Sequence, residues 1–285
     1  MRFSSPLRYP GGKNCIFEFV ANIITENELI GYSYAEPYAG GSGLALRLLF
    51  EEYVERIYIN DLDIAIYAFW KSIIEEPDKF CNWIRKVEIN VESWKKYKKI
   101  YANKSKADLF ELAKATFFLN RTNVSGVIKG GIIGGVEQKG KYKIDARFKK
   151  EDLIERIQKI SRYKNRIYVS NEDGIAFTTR INQKPEDIFI YLDPPYFEKG
   201  ADLYMNYFSE SDHKKLSEFV SGMHKKWMVS YDNNSFILNL YSEMHRVVYQ
   251  LSQSASNRVG DEVLIFSNQL NFNDSLKHLK QAVAI

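Results

Sequence analysis

The run Ile188-Phe189-Ile190-Tyr191-Leu192, followed at once by Asp193-Pro194-Pro195-Tyr196, restricts the fold of this chain more than any other stretch. Five apolar residues of β-branched and aromatic type read as a buried strand, and the double proline stops it abruptly. Neither proline can donate a ladder hydrogen bond, and each fixes its own φ, so the turn is stiff. One carboxylate, one carbonyl and one aromatic ring are thereby presented together at a strand's carboxyl end. Open α/β sheets place their ligands there.

The rest of the chain supplies such a sheet. Ile16 to Ile24 has helical spacing after the glycine turn Pro10-Gly11-Gly12-Lys13. Tyr32 to Pro37 reads as a strand running into the loop Tyr38-Ala39-Gly40-Gly41-Ser42-Gly43, and Leu44 to Tyr53 as a helix. A second strand, Arg56 to Asn60, ends at Asp61-Leu62-Asp63. Strand, glycine loop, helix, strand and acid is the opening order of a nucleotide-binding α/β sheet. Strand texture returns at Arg166–Ser170, Ile188–Leu192, Trp227–Tyr231, Met244–Leu251 and Glu262–Ser267. Between these, Ile64 to Leu119 is helical by pattern, and residues 121–140 are glycine-rich and irregular. Lys141 to Phe148 alternates polar and apolar as a half-buried strand does, and Glu151 to Tyr163 is an amphipathic helix. The simplest account is one α/β sheet, residues 1–63 and 166–285, interrupted by a helical, basic insertion over residues 64–165.

Composition narrows the function classes. With 285 residues, 45% hydrophobic and 27% charged, the chain has the make-up of an ordinary soluble protein. It carries no membrane-length apolar run and no secretory h-region at its start, so it is expected in the cytoplasm. Cys15 and Cys81 lie far apart without a CxxC partner, and His213, His224, His245 and His278 lack HExxH or HxH spacing; neither a disulfide nor a metal is expected. The net charge of +4 is a weak signal. Its distribution is sharper: Lys129, Lys139, Lys141, Lys143, Arg147 and Lys149 are opposed in their segment only by Glu137 and Asp145. Such a stripe is either a nucleic-acid footprint or a solvated lysine-rich face.

The candidate chemistry lies at the strand ends. Glycines 40, 41 and 43 let the backbone approach a ligand, and the helix that follows presents free N–H groups. The loop is not a phosphate loop, because Gly12-Lys13 is followed by Asn14; alone, it fits a tight strand-to-helix turn equally well. Asp61 stands where such folds hold ribose hydroxyls, a carboxylate accepting both protons, although it or Asp63 would also cap the next helix. At Asp193, the question is what an acceptor pair beside a ring does. The exocyclic amine of a nucleobase is a poor nucleophile, its lone pair being delocalised into the ring. The Asp193 carboxylate and Pro194 carbonyl would bind both amino protons and turn that lone pair toward a methyl donor, with no prior deprotonation. Tyr196 would stack on the base, which must first leave the duplex. A structural Pro-Pro turn with a solvated aspartate is the alternative.

Taken in order, Tyr9-Pro10-Gly11-Gly12-Lys13, Glu36 to Gly43, Asp61, a basic insertion and Asp193-Pro194-Pro195-Tyr196 resemble the Dam-type N6-adenine DNA methyltransferases, the D12 class with motif order α. Phe117 to Arg121 and Ser230 to Asn234 also look like family segments, so the resemblance spans nearly the whole chain. Tyr9 replaces a tryptophan common in the family. The resemblance implies a Rossmann-like class I S-adenosylmethionine-dependent methyltransferase sheet with a target-recognition insertion. It implies S-adenosylmethionine bound by Tyr9, Gly11, Gly12, Lys13, Glu36, Pro37, Tyr38, Ala39, Gly40, Gly41, Ser42, Gly43, Asp61, Leu62 and Asp173. Asp193, Pro194, Pro195 and Tyr196 would be catalytic, Asp193 bordering the cofactor as well. In the insertion, Asn120, Arg121, Asn123, Ser125, Lys129, Lys139, Lys141, Lys143 and Arg147 are candidate DNA contacts. Lysines suit phosphates, whereas Arg and Asn suit base edges. The expected reaction is in-line methyl transfer to N6 of a flipped adenine at a specific site in double-stranded DNA. N4-cytosine and RNA adenine methylation share the acceptor geometry, and a silent DNA-binding module shares the fold. The enzyme is expected to act as a monomer, nucleoid-associated when on DNA, with a cognate restriction endonuclease as a candidate partner.

Overall fold

In the computed structural model, which describes residues 4–9, 11–198, 208–253 and 258–285, the expected strands join one mixed sheet in the order β3-β2-β1-β4-β5-β7-β6-β8. Pro10 of the amino-terminal motif lies outside the described residues. Strands β1 (Ser33–Glu36), β2 (Ile57–Asn60), β3 (Ile167–Ser170), β4 (Ile188–Leu192) and β5 (Trp227–Asp232) run parallel. Strand β7 (Arg258–Phe266) runs antiparallel between β5 and β6 (His245–Gln253), and β8 (Lys280–Ala284) is antiparallel to β6. Strands β1, β2, β4 and β5 are buried along their full length, as continuous apolar runs in a parallel sheet covered on both faces should be.

Alternation sorts their side chains. Tyr34, Ile57, Ile59, Phe189, Tyr191 and Met228 join one apolar cluster, with helices α1 (Phe17–Glu26) and α2 (Gly43–Phe50). Ala35, Tyr58, Ile188, Ile190, Leu192 and Val229 join the other, with α8 (Gly174–Asn182), α9 (Glu210–Ser221) and α10 (Ser235–Leu240). Strand β1 has β2 on one side and β4 on the other, so the winding direction reverses there. A crevice opens at the carboxyl ends of those strands.

Between β2 and β3 stand α3 (Ile64–Glu75), α4 (Pro77–Lys86), α5 (Val91–Ala102), α6 (Leu109–Thr122) and α7 (Lys150–Arg162). Their starts are legible: Asp63, Asn90 and Asp108 accept backbone N–H groups as N-caps of α3, α5 and α6, and Pro77 opens α4. Phe69 stacks on Phe117 and Phe80 meets both edge-on, in one aromatic core that is continuous with Ile57 and Ile59 of β2. The Trp70 indole donates to Gly40 O at 2.9 Å, tying α3 to the glycine loop. Among the described residues no helix is long and apolar enough to cross a membrane.

The strand expected at Lys141–Phe148 is absent; the segment forms a 3-10 turn, Ile144–Arg147. Only Ile144 and Phe148 are buried, four residues apart, while Tyr142 is 59% exposed. An alternating pattern makes a strand only where a neighbour supplies the ladder. Here the two buried side chains dock on α6 as a helical turn would place them. Strand β8 and helices α8, α9 and α10 were not anticipated from the sequence.

Candidate active site

Four acids reach the same end of the sheet: Glu36 closes β1, Asp61 follows β2, Asp173 follows β3 and Asp193 follows β4. They border a cavity of about 330 Å³, within the range of small-molecule sites. Tyr9, Gly11, Gly12 and Lys13 line it from the amino-terminal segment. Tyr38 and residues 39–43 line it from the loop after β1, and Leu62 from the loop after β2. Pro37 alone among the expected cofactor residues stays behind the wall, its carbonyl accepting from Asn60 Nδ2 at 3.0 Å. Asn60, missed in the sequence, also bonds the Glu172 carbonyl (2.9 Å) and N–H (2.9 Å), so one buried amide ties the three loops together.

Asp61 is positioned by backbone. Its Oδ2 accepts from Gly40 N at 2.9 Å and its Oδ1 from Asp63 N at 2.8 Å, which holds the glycine loop against the end of β2. Burial pushes its carboxyl up to about 6, against the opposing pull of those two N–H groups. The capping of α3 falls to Asp63, and Asp173 caps α8. Glu36, 6% exposed, accepts from the Tyr34 hydroxyl at 3.1 Å, and burial drives it to about 8.

The glycines answer to a side chain rather than directly to a ligand. A Cβ on Gly40 would stand 2.6 Å from Tyr9 Cε1, and one on Gly41 2.7 Å from Tyr9 Cβ. Gly40 also has φ of +46°, in the left-handed region. The Tyr9 ring therefore lies across the loop and becomes a wall of the cavity. Beyond it, α2 starts after Ser42, whose side chain makes no cap; the buried Glu36 carboxyl instead takes the Ala45 N–H of the first turn.

At the catalytic end, Ser230 Oγ donates to Asp193 Oδ1 at 2.7 Å, and Lys13 Nζ lies 3.2 Å from the same oxygen. Ser230 has one proton, given to Asp193, so the Tyr191 hydroxyl at 2.8 Å must be its donor. Lys13, 6% exposed, also reaches Glu262 Oε2 at 3.5 Å and the Tyr196 hydroxyl. Burial alone would lower the Lys13 ammonium's pKa, but Asp193 and Glu262 outweigh it and hold it well above the lysine norm. Burial raises the Asp193 carboxyl, with Lys13 opposing. Pro195 lines the cavity and Pro194 is buried beside it. Tyr196 is 7% exposed and packed in the second apolar cluster, so a base reaches its ring only if the groups over it move. Ser230 entered the sequence reading only as the start of a family-like segment, and Tyr191 and Glu262 had no site role there. The signal for Glu262 is an acid at the head of the apolar run Val263 to Phe266.

The candidate DNA contacts divide. Asn120 is fully buried, clamping Arg8 N (2.8 Å), Arg8 O (2.7 Å) and Gly126 O (2.9 Å). Asn123, also buried, accepts from the Trp94 indole at 2.7 Å and donates to Val127 O and Ile128 O. Arg121, 8% exposed, donates to Arg147 O at 2.8 Å and to Pro6 O. These three are buried and engaged within the protein, Asn120 and Arg121 with backbone and Asn123 with backbone and the Trp94 indole, so they hold the loop from within. Ser125, Lys129, Lys139, Lys141, Lys143 and Arg147 are exposed on one segment, and Lys129 borders the cavity too. Burial lowers the Arg121 guanidinium to about 9, and Arg8, Arg156 and Arg147 add like charge around it. The loop is thus positive from beneath as well as at its surface.

The family model of the D12 class N6 adenine-specific DNA methyltransferases matches residues 9–254. The chain belongs to that family. The Type II methyltransferase M.CviBI of Paramecium bursaria Chlorella virus NC1A is 24% identical over 235 residues, covering 81% of this chain and 86% of its own length. A solved structure from Listeria monocytogenes, provisionally named a class I S-adenosylmethionine-dependent methyltransferase, is 11% identical with a TM-score of 0.36. It covers 89% of this chain, which spans 59% of its length; at that score the likeness carries no weight.

The protein is accordingly an adenine-specific DNA methyltransferase built on a mixed α/β sheet, and S-adenosylmethionine is its methyl donor. Double-stranded DNA is its substrate. The residues present fit the cofactor. The cavity presents carboxylates to a cationic sulfonium and apolar Leu62, Ile66 and Phe208 to an adenine ring. The buried Tyr38 hydroxyl has no hydrogen-bond partner among the described residues.

Proposed function

We propose that this methyltransferase modifies N6 of an adenine flipped out of the duplex at one specific DNA sequence. The observation that carries this reading is the juxtaposition of Asp193 and Asp61 on one cavity, with Asp193 fixed by Ser230 and Lys13. When bound, S-adenosylmethionine supplies an electrophilic methyl group on a sulfonium. Asp61 would accept the ribose hydroxyls, residues 38–43 with Tyr9 would enclose the methionine portion, and Asp173 would border the adenine. Asp193, its Oδ1 held by Ser230 and Lys13, would accept one amino proton with the other oxygen while Pro194 O accepts the second. That draws the amine lone pair out of the ring without a free base.

Residues 1–63 and 166–285 would form the catalytic unit, and residues 64–165 the target-recognition segment. The reading includes a monomer working in the cytoplasm and, on DNA, with the nucleoid; a cognate restriction endonuclease is its candidate partner. Sequencing methylated plasmid DNA at single-base level tests the address. Methyladenine confined to one sequence is expected, and methyladenine scattered over unrelated contexts would contradict site specificity.

Two further outcomes bear on the assigned residues. A protonated carboxyl cannot accept both ribose hydroxyls, so cofactor affinity is full above the Asp61 value of about 6 and is lost as pH falls through it. Calorimetry should find affinity dropping by about tenfold per pH unit below that point. Asp61→Asn should bind weakly and lose this slope; equal slopes in both proteins remove Asp61 from the site. For DNA, Lys143→Ala and Arg147→Ala should each flatten the salt dependence of log K by about 0.9, one phosphate contact apiece. Unchanged slopes reduce the stripe to ordinary surface.

A further inference from the structure

We propose that Glu262 is a positioning residue for methyl transfer, sharing the Lys13 ammonium with Asp193 so that the catalytic carboxylate keeps its strength as an acceptor. The proposal rests on the reading of Asp193 given above. Glu262 lies on β7, 3% exposed, and does not line the cavity, so it touches neither cofactor nor base from its place in the sheet. A buried carboxylate is costly unless paired and hydrogen-bonded. Its cation is Lys13, at 3.5 Å, and its donor is the Tyr249 hydroxyl, at 2.8 Å, from the residue directly opposite on β6. On its other side β5 places Asp232 opposite it, a like charge whose own oxygens are engaged by Phe197 N and Glu198 N. Two acids side by side in adjacent strands are destabilising, so Glu262 stands there against a cost that Lys13 and Tyr249 offset.

Its effect must pass through Lys13. One ammonium stands between two carboxylates, 3.2 Å from Asp193 and 3.5 Å from Glu262, and cannot neutralise both. The groups facing Asp193 are Lys13 and Cys15 from the 3-10 turn Lys13–Ile16, Tyr34 and Glu36 from β1, Tyr191 from β4, Ser230 from β5 and Glu262 from β7. Lys13 and Ser230 favour the ionised form; burial and Glu262 oppose it. Were Lys13 to serve Asp193 alone, the carboxylate's charge would be spent on a closed ion pair and its pull on an amine proton would weaken. Glu262 holds the ammonium partly away. Tyr249 sets how strongly Glu262 does so, by sharing the same Oε2.

Single-turnover methyl transfer by the full-length enzyme, with S-adenosylmethionine and plasmid DNA, measured across pH, tests this. Glu262→Gln keeps shape and should retain the Tyr249 bond. Its rate is expected to fall roughly 10- to 100-fold with cofactor KM nearly unchanged, and the acid limb of the profile to move to lower pH as Lys13 closes on Asp193. Glu262→Asp should recover part of the rate. Tyr249→Phe, a second and milder variant, frees Glu262 to draw Lys13 harder, and its acid limb should move to higher pH. An unmoved acid limb in both variants, or movement in the same direction, overturns the proposal, even where the rate falls with the folded fraction. Asp193→Asn run alongside separates the two claims. If it transfers methyl normally, the acceptor reading itself fails; if it is inactive while the Glu262 and Tyr249 limbs stay put, only the role of Glu262 fails.

Discussion

Asp193→Asn is expected to lower the single-turnover rate of methyl transfer by about 10²–10³-fold while DNA affinity stays near wild type. The oxygen bonded by Ser230 and Lys13 can persist in the amide, so the turn should keep its geometry. What changes is the other atom: an acceptor becomes an NH2 donor facing an amine that is itself a donor. The loss falls on a contact that matters most as the N6 lone pair turns toward the methyl group, and therefore on kcat rather than on cofactor KM. Equilibrium binding of a DNA duplex and rapid-quench transfer distinguish this from misfolding. A variant that transfers within a few-fold of wild type would make Asp193 a structural residue of a Pro-Pro turn.

Lys13→Met is the second large effect, and it acts on stability as well as rate. Lys13 is buried with two carboxylates and, among the described residues, no second cation pairs with either. Removing one partner of a buried ion pair leaves an uncompensated charge and typically costs about 3–5 kcal/mol. Here two acids are stranded, so the urea midpoint should fall, and the variant should regain stability as acid protonates Asp193, whose carboxyl burial already raises. The double variant Lys13→Met with Glu262→Gln should recover part of the loss, because one stranded charge is gone; the coupling is read from a double-mutant cycle. Transfer should be lost in both, since Asp193 and Tyr196 both lean on the missing ammonium. Additive stability losses, or a Lys13→Met protein as stable as wild type, would contradict the buried network.

Strands β1, β2, β4 and β5 were legible because burial on both faces leaves nearly unbroken apolar runs, and the acids at their ends were legible as punctuation after them. The alternating segment Lys141–Phe148 misled because alternation records which residues are apolar, not whether a neighbouring strand is there to pair. The burial of Asn120, Arg121 and Asn123 was not legible for a related reason. A polar side chain reads the same whether it faces a base edge or clamps a buried carbonyl, and only burial tells the two apart. The glycine loop was found but its tenant was not, since Tyr9 reaches Gly40 and Gly41 across a fold. Glu262 and Tyr249 lay furthest from view. Their meaning depends on Lys13, at the other end of the chain, and sheet order rather than sequence brings them together.

The central claim joins a donor cavity and an amine acceptor at Asp193, and one experiment reaches both. Wild type and Asp193→Asn are incubated with methyl-labelled S-adenosylmethionine and unmethylated double-stranded plasmid, and the DNA is digested to nucleosides. The account predicts label in N6-methyladenine from the wild type and almost none from the variant. Label in N4-methylcytosine, or equal N6-methyladenine from both proteins, would contradict it.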